Sequence, residues 1–265
     1  MLRTLADLFD AMETLSDQLY QSRLAALRAC RPLVHCITND VVQEMTANVL
    51  LAAGASPAMI VAPEEAADFA AVASVVLINV GTLRADLVRA MRLAIESAKA
   101  HDKPWVLDPV AAGLLPWRDA QLAELLRFGP AAIRGNGSEI RALAGLGSGG
   151  RGVDSTEDSE AALEAAGHLA RLHGCVVCVT GATDFITDGE RVLSVGGGSE
   201  TATRVVGTGC SLSALAAAFI AASPGQRTEA VAAACMMAKK AAEAAAAQAQ
   251  GPGSFRTAYI DALSR

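Results

Sequence analysis

The sequence predicts an α/β domain: a mostly parallel central sheet with helices on both faces and an antiparallel hairpin at one edge. Three observations carry that prediction. From Arg31 onward, short β-rich runs alternate with longer segments of helical periodicity, the pattern of crossover units between parallel strands. The rhythm breaks at residues 184–194, where Asp188-Gly189 between two β-rich runs signals a two-residue hairpin. Finally, 52% of the 265 residues are hydrophobic and only 4% aromatic, ample for one large aliphatic core.

Taken in order, residues 1–28 set Leu and Met among charges at helical spacing and read as a helical extension, ahead of a single domain over 29–265. Strands are expected at 33–37, 58–61, 75–80, 105–107, 131–133 and 175–179. Helices are expected at about 41–53, 84–100, 118–127, 138–144 and 156–172. The Gly/Ser stretch 145–154 reads as a surface connection. Within it, Gly147-Ser-Gly149-Gly-Arg-Gly152 matches GxGxxG literally but follows a helix instead of opening a strand–turn–helix unit, so no dinucleotide site is expected there. No GxxxxGK[ST] motif occurs. The longest apolar run, 212–222, falls short of the ~20 residues a bilayer core requires and reads as a buried helix. The Ala-rich stretch 228–250 carries Lys239, Lys240 and Glu243 and reads as a closely packed helix stopped by Gly251-Pro252-Gly253.

Charge narrows the partners. With 22 Lys and Arg against 28 Asp and Glu, the net charge is −6, and no basic cluster beyond Lys239-Lys240 offers a footprint for nucleic acid or an anionic membrane. Small molecules are the expected partners. The six cysteines, at 30, 36, 175, 178, 210 and 235, sit mostly in apolar stretches, and the N-terminus lacks a secretory pattern, which points to a reducing cytoplasm. His35 and Cys36 lie in a β-rich run and read as core. Cys175 and Cys178 have CxxC spacing, but residues three apart on a strand project to opposite faces, so both also read as core. His168 and His173 sit on or just after a helix and are not read as metal ligands.

The chemistry gathers at a glycine turn and at strand ends. Gly207-Thr208-Gly209-Cys210 opens directly into the apolar run Ser-Leu-Ser-Ala-Leu. Two glycines remove Cβ atoms that would keep a ligand from the backbone, and the first helical amides are unpaired, so the turn reads as an anion hole for phosphate. Cys210 at the helix start is expected to be shifted toward thiolate by the helix dipole. Ligands of open parallel sheets bind beyond the carboxyl ends of the strands. There Asp108 and Glu139 offer hard oxygen ligands suited to Mg²⁺, and Arg134 and Thr180 can hold phosphate oxygens. Asp108 has a competing reading as a turn former and Asn136 as a helix cap. Together these are the parts of a phosphoryl-transfer site without a P-loop.

Six segments in order now carry a resemblance. Pro32-Leu-Val-His-Cys-Ile-Thr-Asn39 with Met45-Thr-Ala-Asn48, Gly54-Ala-Ser-Pro57-Ala-Met59, Asp108-Pro109-Val110, Ile133-Arg134-Gly135-Asn136 with Ser138-Glu139, Val179-Thr180-Gly181, and the 207–210 turn resemble the hydroxyethylthiazole kinase family of the ribokinase-like superfamily. The resemblance covers about residues 30 to 250. It implies a ribokinase-like three-layer α/β/α fold. It also implies ATP- and Mg²⁺-dependent phosphorylation of 4-methyl-5-(2-hydroxyethyl)thiazole, a salvage step of thiamine biosynthesis, by a homotrimer with active sites between subunits. Carried over residue by residue, Met45 would line the thiazole pocket and the backbone at Gly207 would meet the substrate. Arg134 and Thr180 would contact ATP, Asp108 and Glu139 would organise Mg²⁺, and Cys210 stands where most of the superfamily has an aspartate base.

Departures are visible. Asp40 replaces a usual aromatic residue and sets a charge near the thiazole side, Ala111 replaces a glycine expected after Asp-Pro-Val, and Gly137 stands where alanine is common. The N-terminal extension is not explained by the resemblance. The rival readings are a related kinase of a pyrimidine or pyridoxine-type alcohol and a nucleotide-binding protein without catalysis. A dehydrogenase comes third, and the misplaced GxGxxG argues against it.

Overall fold

The computed structural model describes residues 12–146 and 156–265. Among the described residues, nine strands form one sheet in the order β1-β9-β8-β7-β6-β5-β4-β2-β3. They are β1 Met12–Thr14, β2 Leu33–Ile37, β3 Ser56–Ala58, β4 Val75–Asn79, β5 Trp105–Asp108, β6 Ala132–Asn136, β7 Val176–Thr180, β8 Asp184–Thr187 and β9 Val192–Val195. Every pairing is parallel except those of β8, which runs antiparallel to both β7 and β9. The helices are α1 Asp17–Cys30, α2 Gln43–Ala53, α3 Pro63–Val72, α4 Ala85–Ala100, α5 Pro116–Leu126, α6 Gly137–Leu143, α7 Thr156–His173, α8 Thr208–Ala221, α9 Arg227–Ala246 and α10 Pro252–Leu263.

Strands buried on both faces are apolar at nearly every position, as Val75–Asn79 is, and successive side chains feed two separate cores. Leu77, Val106, Ala132 and Cys178 join the core beneath α1, α2 and α8 to α10. Ile78, Leu107, Ile133 and Val177 join the core beneath α3 to α7. Helix α8 is apolar on every side because it is enclosed: all ten residues from Ser211 to Ile220 are buried. Its N-terminus therefore meets the sheet at a fixed place. The chain leaves β2 toward β3 on one side and returns as β4 on the other, so the β2/β4 boundary is a topological switch point, where ligands of such sheets bind.

Three expectations need correction. The helical extension contains a strand: Met12–Thr14 pairs parallel with Val192–Ser194, outside the hairpin, and only then does α1 begin, capped by Ser16. The free backbone edge of β9 favours that pairing, and local helical periodicity cannot register it. Residues 1–11 lie outside the described residues. The hairpin has four connecting residues instead of two, because Thr187 pairs with Val192. Asp188 Oδ1 accepts from the amides of Glu190 and Arg191, so Asp188 initiates an Asx-type turn in place of a tight Asp-Gly one. The strand expected at 58–61 ends earlier, at Ala58, since only residues 56–58 face β2. The literal GxGxxG at 147–152 and most of the expected 145–154 connection lie outside the described residues.

Candidate active site

A cavity of about 770 Å³ opens at the carboxyl ends of β5, β6 and β7. It runs from Cys210 past Arg134 and Thr180 to Lys239.

The glycine turn has the geometry its sequence requires. Gly207 adopts φ +96°, open to glycine and strained for any other residue, and a Cβ there would stand 2.9 Å from Met45 Cγ. Met45, 3% exposed, thus supports the turn from below and is not part of the cavity wall. The first backbone bond of α8 runs from Ser211 N to Gly207 O at 2.8 Å, so the amides of Thr208, Gly209 and Cys210 precede the helical ladder and lack intrahelical acceptors. The Thr208 hydroxyl donates to Ala202 O at 2.9 Å, which fixes the turn to the preceding loop. A Cβ on Gly209 would lie 3.1 Å from Arg134 Nη1, so the second glycine lets the guanidinium close over the turn.

Arg134 Nη2 donates to Thr180 Oγ1 at 2.6 Å, and Thr180 donates to Gly135 O at 3.3 Å. Burial works against the Arg134 charge, but Asp108, Glu139 and Asp184 outweigh it and raise its pKa, so the cation is secure. Asp108 is 1% exposed, and its Oδ2 accepts from Asn79 Nδ2 at 2.7 Å and Ser213 Oγ at 2.9 Å. Burial pushes its carboxyl up to about 6, with Glu139 adding to the rise and Arg134, Ser213 and Asn79 opposing it. It is an anion at neutral pH, held at a cost. Asn79 Oδ1 in turn accepts from Asn39 Nδ2 at 3.0 Å, and that nitrogen lies 3.5 Å from Cys210 Sγ.

Cys210 differs from its expectation. Burial pushes the thiol above its ordinary value and the neighbouring Asp108 charge adds to the rise; Asn79, Arg134 and Asn39 oppose it without prevailing. Desolvation and a carboxylate next door outweigh the helix dipole, so at neutral pH the side chain is a thiol.

Glu139 is engaged on both oxygens. Oε2 accepts from Asn136 N and Oε1 from Ala111 N, each at 2.9 Å, while Asn136 Oδ1 accepts from Glu139 N in return. The capping reading of Asn136 is therefore correct, and Glu139 closes the box on α6 while anchoring the turn after β5. Ala111, the residue anchored, has φ +60°. Among the described residues no group of three or more His, Cys, Asp and Glu could hold a metal. The donor set present is the two carboxylates Asp108 and Glu139, each with lone pairs left over, which fits Mg²⁺ completed by water and substrate phosphates. The raised pKa of Asp108 marks an anion that a cation would relieve.

Sequence reasoning passed over Asn79 and Ser213. Asn79 ends β4 as Asp108 ends β5, so the strand-end rule that found Asp108 applied to it equally. Ser213 lies one helical turn beyond Cys210, within a run read only as apolar. The core readings hold. His35 is fully buried, its Nε2 is 2.7 Å from Ile60 O, and Phe69 meets its ring edge-on. Cys175 and Cys178 fall in opposite cores. Asp40 makes an exposed ion pair at 2.7 Å with Arg84, which it shares with Asp86.

A carboxylate and a guanidinium held beside open amides at the strand ends form machinery for moving phosphoryl groups, and the chain is by class an α/β small-molecule kinase. Solved pyridoxal kinases share the fold. One from Staphylococcus aureus, in complex with ADP, aligns with a TM-score of 0.61 at 17% identity over 80% of this chain and 87% of its own. Residues 24–265 match the Hydroxyethylthiazole kinase family, and the chain belongs to that family. A hydroxyethylthiazole kinase of Klebsiella pneumoniae (strain 342) is 63% identical over 237 residues, 89% of this chain and 91% of that one. One from Escherichia coli (strain K12) is 56% identical over 88% of both chains. The solved hydroxyethylthiazole kinase of Pyrococcus horikoshii OT3 superposes with a TM-score of 0.86 at 40% identity, covering 94% of this chain and 93% of that one.

Proposed function

We propose that this enzyme transfers the γ-phosphoryl group of ATP to the hydroxyl of 4-methyl-5-(2-hydroxyethyl)thiazole, a salvage step of thiamine biosynthesis. The observation that carries the reading is one cavity in which the open amides of residues 208–210, the Arg134 guanidinium and the Asp108 carboxylate meet. In this reading the substrate hydroxyl attacks in line, and the charge spread over the transferred oxygens is received by those amides and by Arg134, positioned before the reaction starts. Thr180 orients the guanidinium. Asp108 and Glu139 would hold Mg²⁺, which supplies charge neutralisation between the phosphates.

Cys210 stands beside the transferred group, where only its thiolate form could accept the hydroxyl proton. Its raised pKa leaves only a small thiolate fraction at neutral pH, and a loose transition state asks little of a base. Asp40 pairs with Arg84, a guanidinium it shares with Asp86. We assign residues 29–265 to the kinase domain and the enzyme to the cytoplasm as a homotrimer with sites between subunits. No helix among the described residues is long and apolar enough to cross a membrane.

The test is ADP release from purified protein with ATP, Mg²⁺ and a panel of hydroxyethylthiazole, hydroxymethylpyrimidine and pyridoxal. Turnover with the thiazole is expected; none with the thiazole and some with another alcohol would transfer the reading to the related kinase.

A further inference from the structure

At the end of the cavity away from Cys210, the wall is backbone. Gly181 and Ala182 of the turn between β7 and β8, and Gly197 and Gly198 of the loop after β9, line it. Neither is held by sheet pairing, and both are tied to α9. Lys239 Nζ donates to Gly181 O at 3.1 Å, Ala182 O at 2.9 Å and Gly197 O at 3.2 Å, with Asp184 Oδ1 at 3.4 Å. One turn further along, Glu243 Oε1 accepts from Gly198 N at 2.9 Å. The fit is close: a Cβ on Gly197 would fall 2.3 Å from Glu243 Oε1, and one on Gly198 3.4 Å from Lys239 Cγ. Lys239 is 11% exposed and its partner Asp184 is 5% exposed. An ammonium group has three protons to donate, and three carbonyls take them, so the group is not free to grip a phosphate.

We propose that Lys239 is a positioning residue for the nucleotide, its ammonium group serving as a built-in monovalent cation that holds the two turns at the spacing the nucleotide requires. The inference rests on the reading of the cavity as the ATP site. Removing the side chain leaves a cradle of three carbonyls and a carboxylate, a set of hard oxygen acceptors that suits a small monovalent cation.

The test measures ADP affinity by calorimetry, and KM and kcat for both substrates, in wild type and Lys239→Ala. The variant is expected to lose about tenfold or more in ADP affinity and in KM for ATP, with kcat and the KM for the alcohol within about threefold. Ammonium or potassium chloride should restore most of that loss, tetramethylammonium chloride at equal ionic strength should not, and wild type should respond to none of them. An unchanged ADP affinity, or a parallel fall in all parameters without cation rescue, overturns the proposal. If Lys239→Ala does not fold, Lys239→Arg decides: the charge is kept, but a planar guanidinium cannot place three N–H groups at one point, so unchanged ADP affinity in that variant also overturns it. Wild type that binds ADP tightly but phosphorylates no thiazole would sink the substrate reading and leave this one standing.

Discussion

The two ends of the cavity are built by different means. At the transfer end, side chains are set by regular elements: Asp108 by the end of β5, with Asn79 at the end of β4 bonded to it, Arg134 by β6 and Cys210 by the first turn of α8. At the other end, the wall is the backbone of two turns gripped by Lys239 and Glu243 from one helix. A strand end within a packed sheet fixes a side chain closely, as charge stabilisation requires. The two turns are held by the β7/β8 hairpin, by Asp184 and Glu243, and to each other by the ammonium group that bonds to both. Changes at the transfer end should therefore strike kcat, and changes at the other end nucleotide affinity.

The largest effect is expected from Asp108→Asn, which keeps the shape and removes the anion: kcat falls at least about 100-fold while the fold persists. Stability should move the opposite way. The folded carboxyl is pushed up to about 6, so the folded protein holds the proton more tightly than the unfolded chain does. This group's stabilising contribution is complete below the ordinary carboxylate range and is lost as pH rises through about 6, a penalty on the order of 3 kcal/mol at neutral pH. In Mg²⁺-free buffer, the Tm of wild type relative to Asp108→Asn should fall between pH 4 and 7. A constant difference would show that the carboxyl is not strained by burial.

Next in size is the anion turn set against its own thiol. Gly207→Ala meets a left-handed backbone and a 2.9 Å approach to Met45, displaces the amides that follow, and should lower kcat by roughly ten- to 100-fold. Cys210→Ala should cost about tenfold or less. Reversal of that order would make the thiol the principal catalytic residue. A companion measurement needs no substrate: iodoacetamide should alkylate Cys210 more slowly at pH 7 than it does an unperturbed thiol, with the rate still rising through the alkaline range.

The same contrast explains what could be read from the sequence. Residues on regular elements were legible, because periodicity places strands and the strand-end rule then selects Asp108, Arg134 and Thr180. Helix α3 was missed although Pro63 opens it and Glu64 and Glu65 fill its first turn, since its apolar spacing is short and made mostly of alanine. The grip of Lys239 on the Gly181–Ala182 turn spans 58 positions in the chain, and no local pattern encodes such a contact. The state of Cys210 escapes the sequence for a related reason: the dipole belongs to its own helix and is visible locally, whereas the burial that raises the thiol, and the Asp108 charge that adds to it, come from elements distant in the chain.

The smallest effect separates a departure of sequence from a departure of function. Ala111 stands where a glycine is expected, and its φ of +60° gives the physical reason for that glycine. A left-handed backbone costs an L-residue about 1–2 kcal/mol, and glycine removes that strain. Its greater freedom in the unfolded chain takes back about 0.4–1 kcal/mol, so Ala111→Gly should stabilise by up to about 1.5 kcal/mol, raising Tm by up to about 3–6 °C. The bond that holds this turn runs from the Ala111 backbone amide to Glu139, so the substitution leaves it in place and kcat should stay within about twofold. A fall in kcat without a fall in Tm would mean that the alanine methyl itself shapes the transfer end, whereas a rise in Tm alone confines the departure to backbone strain.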